Sequence, residues 1–256
     1  MTADFRLGKL AFDLPYNQAW NTTSLPEEKF FQGTFSYLAH GAQSFVFKSE
    51  DGEWTLKIFR YDRWIHPWRK FFRNEVFKRK KRLAYNQKID RLFCAAKLAF
   101  EEASDLTGLS YVHLNCTKAT LPTVVLKDQI GRTHHLDLNH TYFVIQHRAK
   151  PLLDGFLEAI ETNDREKFKR LCRSFKNLLH TRTCRGICNS DTKVHLNFGF
   201  WGERAIEWDF GNYWIDRNMK TEEDREFEKS RFIFKPALFL SKYPEWAALY
   251  RKEIEE

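Results

Sequence analysis

The chain has 256 residues, enough for one large domain or two small ones, each with an apolar core. Lys and Arg number 42 against 34 Asp and Glu, so the formal net charge of +8 favours an anionic partner such as a nucleotide or a lipid headgroup. No apolar run approaches the roughly 18 residues of a membrane-spanning helix, and the amino terminus lacks a signal-peptide core, so we expect a cytosolic protein.

Strands are the first predicted elements, between residues 34 and 60. Residues 38–46 (LAHGAQSFV) form a loop of small residues, and residues 54–59 (WTLKIF) form an apolar strand that carries Lys57. The alternation of apolar and polar residues predicts two or three antiparallel strands here.

A basic and aromatic segment follows, from Trp64 to Arg82 (WIHPWRKFFRNEVFKRKKR). Such a segment can lie at an anionic membrane surface, with its rings inserted and its cations among the headgroups. The alternative is a helix that packs its aromatic side chains on the core and leaves a solvated basic face. No RNA- or DNA-binding motif accompanies the segment, which argues against nucleic acid as the partner.

Residues 64–105 are predicted to be rich in helix, with an end at Gly108. Strands are predicted for residues 109–115 and 142–146, with a hairpin through Gly131 between them. Four residues near this hairpin have metal-ligand chemistry, although the alternation favours side chains that point outward from a hairpin. These residues are His134, His135, Asp137 and His140.

Two amphipathic helices are predicted next, over residues 151–161 and 164–184. Asp164 stands at the N-cap position of the second helix. The predicted buried side of that helix consists of Phe168, Leu171, Cys172, Phe175, Leu178 and Leu179.

The segment richest in chemistry runs from Gly186 to Gly211 (GICNSDTKVHLNFGFWGERAIEWDFG). A carboxylate at a turn, Asp191, can orient or deprotonate a hydroxyl. An Asn oxygen and a second carboxylate, here Asn197 and Asp209, can hold a divalent cation against phosphates. The alternative is that Asp209-Phe210-Gly211 is a strand-to-turn junction in which the Asp caps its own turn.

The order of small-residue loop, strand lysine, acidic turn, asparagine and Asp-Phe-Gly resembles that of the protein-kinase-like superfamily over roughly residues 34 to 215. The resemblance implies a two-lobed α+β fold. An N-lobe with an antiparallel sheet and a long helix would occupy residues 1–147, and a reduced, mostly helical C-lobe would occupy residues 148–256. In size and layout, the chain most resembles the small bacterial kinases that phosphorylate sugars of the lipopolysaccharide core.

The resemblance also implies which residues bind ATP. Gly41, Ser44 and Val46 stand at matching positions of the loop that covers the phosphates, and Lys57 matches the lysine that contacts them. An acidic residue of the long helix, Glu102 or Glu75, would hold Lys57 in place. For each of the two glutamates, a solvated surface position is the alternative.

The same resemblance assigns roles in the second half of the chain. Asp191 would position the acceptor hydroxyl, and Lys193 would contact the transferring phosphoryl group. Asn197 and Asp209 would bind Mg²⁺. Asn197 follows Asp191 by six residues, whereas five is the protein-kinase spacing, which implies a one-residue bulge.

Three departures from eukaryotic protein kinases shape the functional prediction. Cys188-Asn189-Ser190 replaces the usual residues before the catalytic Asp, the loop has Ala39 and Ser44 in place of Gly, and no Ala-Pro-Glu occurs after Gly211. We therefore predict transfer of a phosphoryl group from ATP to a hydroxyl of a non-protein acceptor, an anionic small molecule or a lipid-linked sugar, with residues 64–82 as a peripheral contact at the inner face of a membrane. A pseudokinase, which binds partners without turnover, is the alternative.

Overall fold

The chain folds into two units of different architecture. The computed structural model describes residues 5–10, 14–23, 25–60, 75–219 and 221–255, with the backbone alone for 75–83. Unit 1 comprises Met1–Phe100 and Leu109–Arg148, and unit 2 comprises Glu101–Gly108 and Ala149–Glu256. The predicted α+β class is confirmed, because a mostly antiparallel sheet dominates unit 1 and helices dominate unit 2.

Unit 1 is built on a seven-stranded sheet with the order β4-β7-β3-β2-β1-β5-β6. The strands are β1 Thr34–His40, β2 Ser44–Lys48, β3 Trp54–Phe59, β4 Leu109–His113, β5 Thr123–Lys127, β6 Thr133–Asp137 and β7 Phe143–His147. All neighbouring strands are antiparallel except β1 and β5, which run parallel. The predicted antiparallel pairing is confirmed for β1 to β3, whereas the parallel pair was not foreseen.

The side chains of β2 and β3 alternate between the two faces of this sheet. On one face Phe45 lies opposite Ile58 and Phe47 lies opposite Leu56, all fully buried. An aromatic-rich core of unit 1 forms around them. On the other face, the ring of Phe59 packs on a long helix, and its burial holds that helix against the sheet.

This helix, α1, spans Glu75–Thr107 and kinks at Ala103. The ring centroid of Phe93 lies 5.2 Å from that of Phe59. The helix ends at Gly108, whose φ of +69° suits a residue without a Cβ, so the predicted end is confirmed. The basic segment from Trp64 to Arg82 lies outside the described residues, apart from its helical backbone from Glu75 onward.

Unit 2 consists mainly of helices, with two small sheets ordered β11-β10-β8 and β12-β9. Its helices are α2 Leu152–Glu161, α3 Arg165–Cys184, α4 Val194–Asn197, α5 Glu222–Leu240 and α6 Pro244–Glu255. Its strands are β8 Lys150–Pro151, β9 Ile187–Asn189, β10 Phe198–Trp201, β11 Arg204–Glu207 and β12 Tyr213–Ile215.

Helix α3 lies at the centre of unit 2. The Asp164 carboxylate accepts a hydrogen bond from the Lys167 N–H at 2.9 Å, so the predicted N-cap is confirmed. The six residues predicted for the buried side of α3 are all buried. Phe168 packs on Trp246 of α6, which ties the last helix to the core of the unit. None of the described helices combines the length and the apolar character needed to cross a bilayer.

Candidate active site

The acidic turn of unit 2 lies between β9 and α4. Asn189 ends β9 and is fully buried, and its side-chain oxygen accepts a hydrogen bond from the Asp191 N–H at 2.9 Å. The Asp191 carboxylate in turn accepts a hydrogen bond from the Lys193 N–H at 3.2 Å. These two turns set the direction of the Asp191 carboxylate from both sides of the residue.

Lys193 accompanies this carboxylate. Its Nζ lies 3.8 Å from Oδ2 of Asp191, and its side chain is 64% exposed. An exposed pair at this distance is weak, so the ammonium group is able to approach another anion brought to the same turn.

Asn197 connects the turn to the Asp-Phe-Gly segment. Its side-chain amide donates to the carbonyl of Asp191 at 3.3 Å, and its own carbonyl accepts from the N–H groups of Trp208 at 2.8 Å and Asp209 at 3.4 Å. A single helical turn, α4, lies between the Asp191 turn and β10 and ends at Asn197, while the predicted one-residue bulge stays a prediction. The three predicted site residues Asp191, Asn197 and Asp209 are therefore brought together within unit 2.

For Asp209 the structure shows the turn that was considered as the alternative for its tripeptide. Its Oδ1 accepts from the Gly211 N–H at 3.3 Å, so it caps its own turn, although Gly211 has no positive φ. Its carbonyl also accepts from the Asn189 side-chain amide at 3.3 Å. Within the described part of the chain, no donor bonds Oδ2 of Asp209 or Oδ1 of Asn197, which leaves both oxygens as possible ligands.

A buried polar network that sequence reasoning missed lies behind this site. Arg182 of α3, Glu207 of β11 and Glu228 of α5 form its charged members, and all three are buried. Arg182 Nη1 donates to Glu207 at 2.6 Å and Nη2 to Glu228 at 3.3 Å. Glu207 also accepts from the Tyr213 hydroxyl at 2.6 Å and from the Asn189 side-chain amide at 2.7 Å. Asn189 therefore links the buried charges to both Asp191 and Asp209.

Burial and pairing shift the pKa values of this network in definite directions. Burial raises the pKa of the Glu207 carboxyl, while Arg182 and the Tyr213 hydroxyl act to lower it. For Arg182, burial is the largest cause and lowers the pKa, but Glu207, Tyr213 and Glu228 together outweigh it, so the pKa lies above its usual value. The Tyr213 pKa is raised well above its usual value by burial and by Glu207, so the hydroxyl keeps its proton and donates it to the hydrogen bond.

One signal in the sequence points to this network. Arg182 follows Phe175, Leu178 and Leu179 at helical spacing, so it continues the apolar side of α3 where a charge is unexpected. A charged residue on a buried helix face requires a partner of opposite charge. The identity of that partner, 25 or 46 residues further along the chain, is not contained in the local pattern.

The predicted phosphate-covering loop joins β1 and β2 in unit 1. The Gly41 N–H donates to the Ser44 carbonyl at 2.9 Å, so this donor is engaged inside the turn. A Cβ at Gly41 would meet no atom of the described residues within 4 Å, which leaves space among them next to the backbone. Arg60, a buried residue that sequence reasoning missed, stacks on Phe45 at 4.3 Å and donates to the Gly41 carbonyl at 3.4 Å.

Lys57 lies in the middle of β3. Its register partners are Val46 on β2 and Val144 on β7, so Lys57 and Val46 share the face of the sheet opposite the aromatic core. Ser44 lies on the same face, two residues before Val46. Ser44, Val46 and Lys57 thus lie on one surface of the sheet, and Gly41 lies in the loop beside Ser44.

Glu102 and Glu75 are the two candidate partners of Lys57. The Glu102 side chain is exposed, and its carbonyl accepts from Arg185 at 2.8 Å within unit 2. Arg185 also makes a bidentate pair with Asp105, at 2.5 and 2.9 Å. Glu75 begins α1, and its side chain lies outside the described residues. The pairing of either glutamate with Lys57 stays a prediction.

The hairpin histidines have structural contacts. Nε2 of His134 lies 3.0 Å from Asp128, and His140 lies 3.9 Å from Asp137. Across the described ranges, no group of three or more His, Cys, Asp or Glu residues is arranged to hold a metal ion. A cation at Asp209 and Asn197 would therefore need further ligands from water or phosphate.

Comparisons with known proteins give matches among solved structures alone. No protein-family model matches the chain, and no curated protein does. A crystal structure of WbdD is 12% identical, with a TM-score of 0.40, over 88% of this chain and 46% of that chain. A second, of the bifunctional kinase-methyltransferase WbdD, is 13% identical with a TM-score of 0.36, over 83% and 43%.

A third similar structure is WbdD bound to the kinase inhibitor LY294002, with 15% identity and a TM-score of 0.37 over 86% of this chain and 45% of that chain. The chain thus spans about half the length of the solved structures that it matches.

Proposed function

We propose that this chain is an ATP-dependent kinase that transfers a phosphoryl group to a hydroxyl of a non-protein acceptor, a sugar or a lipid-linked sugar. The observation that carries the proposal is the convergence of Asp191, Asn197 and Asp209 through direct hydrogen bonds within unit 2. The motif order along the sequence supports it independently.

Asp191 is the residue that positions the acceptor. Its carboxylate is partly exposed at the end of a turn that Asn189 and Asn197 hold from either side. A carboxylate in this setting accepts a hydrogen bond from the attacking hydroxyl and aligns its oxygen with the phosphoryl group. Lys193, beside it, offsets negative charge on the transferring group.

Mg²⁺ fits the oxygen donors of Asp209 and Asn197. A carboxylate oxygen of Asp209 and the amide oxygen of Asn197 are hard ligands of the kind that Mg²⁺ prefers, and Mg²⁺ usually completes its shell with water and phosphate oxygens. Bound there, the ion would neutralise charge on the phosphates of ATP. Within unit 1, Lys57 and the loop at Gly41 to Ser44 are the residues that we propose for contacts with nucleotide phosphates.

A phosphotransfer assay with radiolabelled ATP, Mg²⁺ and a panel of sugar acceptors tests the proposal. Asp191→Asn keeps the size of the side chain but removes its charge, and we expect turnover to fall by about 10²–10⁴-fold. The matched control is Asp154→Asn, an exposed carboxylate in the first turn of α2. Equal turnover by wild type and Asp191→Asn would refute the assignment of Asp191.

Nucleotide binding is measured separately from turnover. ATP should raise the unfolding temperature, and Lys57→Ala should abolish that increase, because binding to the folded state stabilises it. Asp209→Asn should remove the part of the increase that depends on Mg²⁺. Unchanged ATP binding and unchanged turnover in Lys57→Ala would show that Lys57 is misassigned.

A pseudokinase is the second candidate. The engaged N–H of Gly41 favours it, since kinase loops of this type offer backbone donors to phosphates. If the chain is a pseudokinase, ATP should stabilise it without phosphoryl transfer to any acceptor. If it is the proposed kinase, both stabilisation and transfer should be observed.

A further inference from the structure

Cys184 and His180 form an exposed pair at the end of α3. They are four residues apart and share one side of the helix, and Nε2 of His180 lies 3.5 Å from the Cys184 sulfur. On α5, Nζ of Lys229, which also pairs with Glu226, lies 3.5 Å from Nδ1 of the same ring. An ammonium group donates hydrogen bonds and accepts none, so Nδ1 is the acceptor and the proton of the neutral ring is on Nε2. The sulfur of Cys184 therefore accepts a hydrogen bond from His180.

Arg225 of α5 stands near this pair. Its guanidinium pairs with Glu222 at 2.8 Å. The hydrogen bond to Glu222 is the main cause that raises the pKa of Arg225, and negative charge on Cys184 adds to it. A hydrogen-bond donor in contact with the sulfur and a cation nearby both favour negative charge on it.

The other two exposed cysteines have the opposite role in their hydrogen bonds. The thiol of Cys94 donates to the Asp90 carboxylate, with the sulfur 4.0 Å from Oδ1, and burial and Asp90 raise its pKa. The thiol of Cys116 donates to the Tyr142 hydroxyl at 3.3 Å. A thiol that donates keeps its proton, whereas the thiolate is the nucleophilic form of cysteine.

The two remaining cysteines, Cys172 and Cys188, are buried. Burial raises the pKa of the Cys188 thiol to about 11 and that of the Cys172 thiol well above its usual value. In the described part of the chain, Cys184 is thus the one exposed cysteine whose sulfur accepts a hydrogen bond.

We propose that Cys184 is a site of reversible modification that reacts with low-molecular-weight disulfides. The Cys184 thiolate attacks one sulfur of the disulfide, and a new bond forms between the two sulfur atoms. The original disulfide bond breaks, and the leaving thiolate takes its electron pair and then a proton from solvent. His180 acts through the thiolate, which its N–H group stabilises. The inference goes beyond the proposed function and does not require that the chain be a kinase.

Reaction of the full chain with 2-hydroxyethyl disulfide, an uncharged probe, tests the inference. The reaction is run at neutral pH without denaturant, and mass spectrometry of the digested chain gives the rate at each cysteine. Each rate is divided by that of the same cysteine in urea, which removes differences due to neighbours along the chain. We expect the ratio for Cys184 to be at least about tenfold higher than those for Cys94 and Cys116, because the rate follows thiolate content and access.

Variants of His180 separate the effect of the hydrogen bond from that of exposure. His180→Leu removes the donor, and we expect the rate at Cys184 to fall by about threefold or more, with Cys94 and Cys116 unchanged. His180→Gln keeps an N–H group in the side chain and should retain more of the rate than His180→Leu does. His180 is exposed, so thermal unfolding of both variants should match that of the wild type.

Asp90→Asn is the matched variant at a second exposed cysteine. It removes the negative charge beside Cys94 and keeps an oxygen for the indole N–H of Trp20, which donates to Asp90 at 2.9 Å. Cys94 should then react about threefold faster or more, while the rate at Cys184 should not change.

Three outcomes would overturn the inference. The first is a folded wild type in which Cys94 or Cys116 reacts as fast as Cys184. The second is a folded His180→Leu variant in which Cys184 reacts as in the wild type, or no more slowly than in His180→Gln. The third is an unchanged rate at Cys94 in Asp90→Asn, which would show that neighbouring groups do not set the reactivity of the exposed thiols.

Discussion

The described interior of unit 2 contains five charged residues, and that of unit 1 contains one. In unit 2 these are Arg182, Glu207, Glu228, Lys229 and Glu253. In unit 1 the buried charged residue is Arg60, directly after β3, and the core around β2 and β3 is mainly aromatic and aliphatic, although Thr55, His113 and Gln146 of the sheet are also buried. The interiors of the two units therefore differ in how many charged residues they contain.

The two units also differ in the interactions that hold their candidate site residues. In unit 1, apolar contacts across β2 and β3 place Val46 and Lys57, and such contacts have little directional preference. In unit 2, hydrogen bonds to Glu207 orient Asn189, which then orients Asp191 and Asp209. Hydrogen bonds are directional, so in a low-dielectric interior they restrict the orientation of a carboxylate more than apolar packing does.

Among the substitutions that test this difference between the units, Arg182→Met should have the largest effect on stability. It leaves the buried carboxylates of Glu207 and Glu228 without their cation, and we expect a loss of about 3–5 kcal/mol in the free energy of unfolding. Adding Glu207→Gln should recover part of that loss, because the double variant no longer buries the unpaired Glu207 charge. Denaturant unfolding measures both values.

The control for this prediction lies on the same helix. Arg170 of α3 makes an exposed bidentate pair with Glu203, at 2.7 and 2.9 Å. Arg170→Met should leave the free energy of unfolding nearly unchanged, since solvent screens such a pair. If Arg182→Met costs no more than Arg170→Met, buried charge does not stabilise unit 2.

The pH dependence of unit 1 gives the next largest effect. His113 of β4 is buried against Phe143, with ring centroids 5.2 Å apart, and burial lowers its pKa to about 4. Well above pH 6.5 the residue is neutral in both the folded and unfolded chain and does not change the stability with pH. As the pH falls from 6.5 towards 4, the unfolded chain binds a proton that the folded chain does not, so stability falls by roughly 3 kcal/mol in total.

His113→Gln isolates this contribution. The difference in unfolding free energy between wild type and variant, measured from pH 7.5 to pH 4, should change with a slope approaching about 1.4 kcal/mol per pH unit below pH 6. A difference that does not vary with pH would mean that the interior of unit 1 accepts a charged imidazole, and the contrast between the units would fail.

The smallest effect compares two buried asparagines, one in each unit. Asn189→Ala removes a donor to Glu207 and the acceptor of the Asp191 N–H. Asn139→Ala in unit 1 removes the acceptor of the Thr120 and Leu121 N–H groups, at 2.9 and 3.0 Å. Each substitution should cost about 1–3 kcal/mol of stability, because buried polar partners lose their hydrogen bonds.

The two asparagine variants should differ in activity. Under the proposed function, Asn189→Ala lowers kcat more than it raises the KM for ATP, since it displaces the carboxylates of Asp191 and Asp209. Asn139→Ala should leave both constants close to those of the wild type at a temperature where it is folded. Equal kcat values would show that Asn189 has a structural role alone.

Local patterns predicted much of the fold. The ends of α1 and α3 follow from Gly108 and the Asp164 cap, and the β5–β6 hairpin follows from the turn at Gly131, with its φ of +82°. These features depend on a few neighbouring residues, which is why the sequence contains them. The parallel pairing of β1 with β5 depends on segments far apart in the chain, and no local signal specifies it.

The candidate site likewise has a part that the sequence predicted and a part that it did not. The order of Asp191, Asn197 and Asp209 was visible in the sequence, and the short helix α4 and the β10–β11 hairpin bring the three residues together. The supporting charges were not predicted, because Arg182 and its partners pair across three separate elements. Long-range pairing of charges requires the fold to be known first.

The position of β3 inside the sheet has a consequence for synthesis on the ribosome. β3 ends at Phe59, and its second neighbour, β7, begins at Phe143, 84 residues later. At a typical elongation rate, the edge of β3 that pairs with β7 stays unpaired for on the order of ten seconds. An unpaired strand edge pairs readily with other chains. The nascent chain therefore presents a template for aggregation, or a binding site for a chaperone, until β7 leaves the exit tunnel.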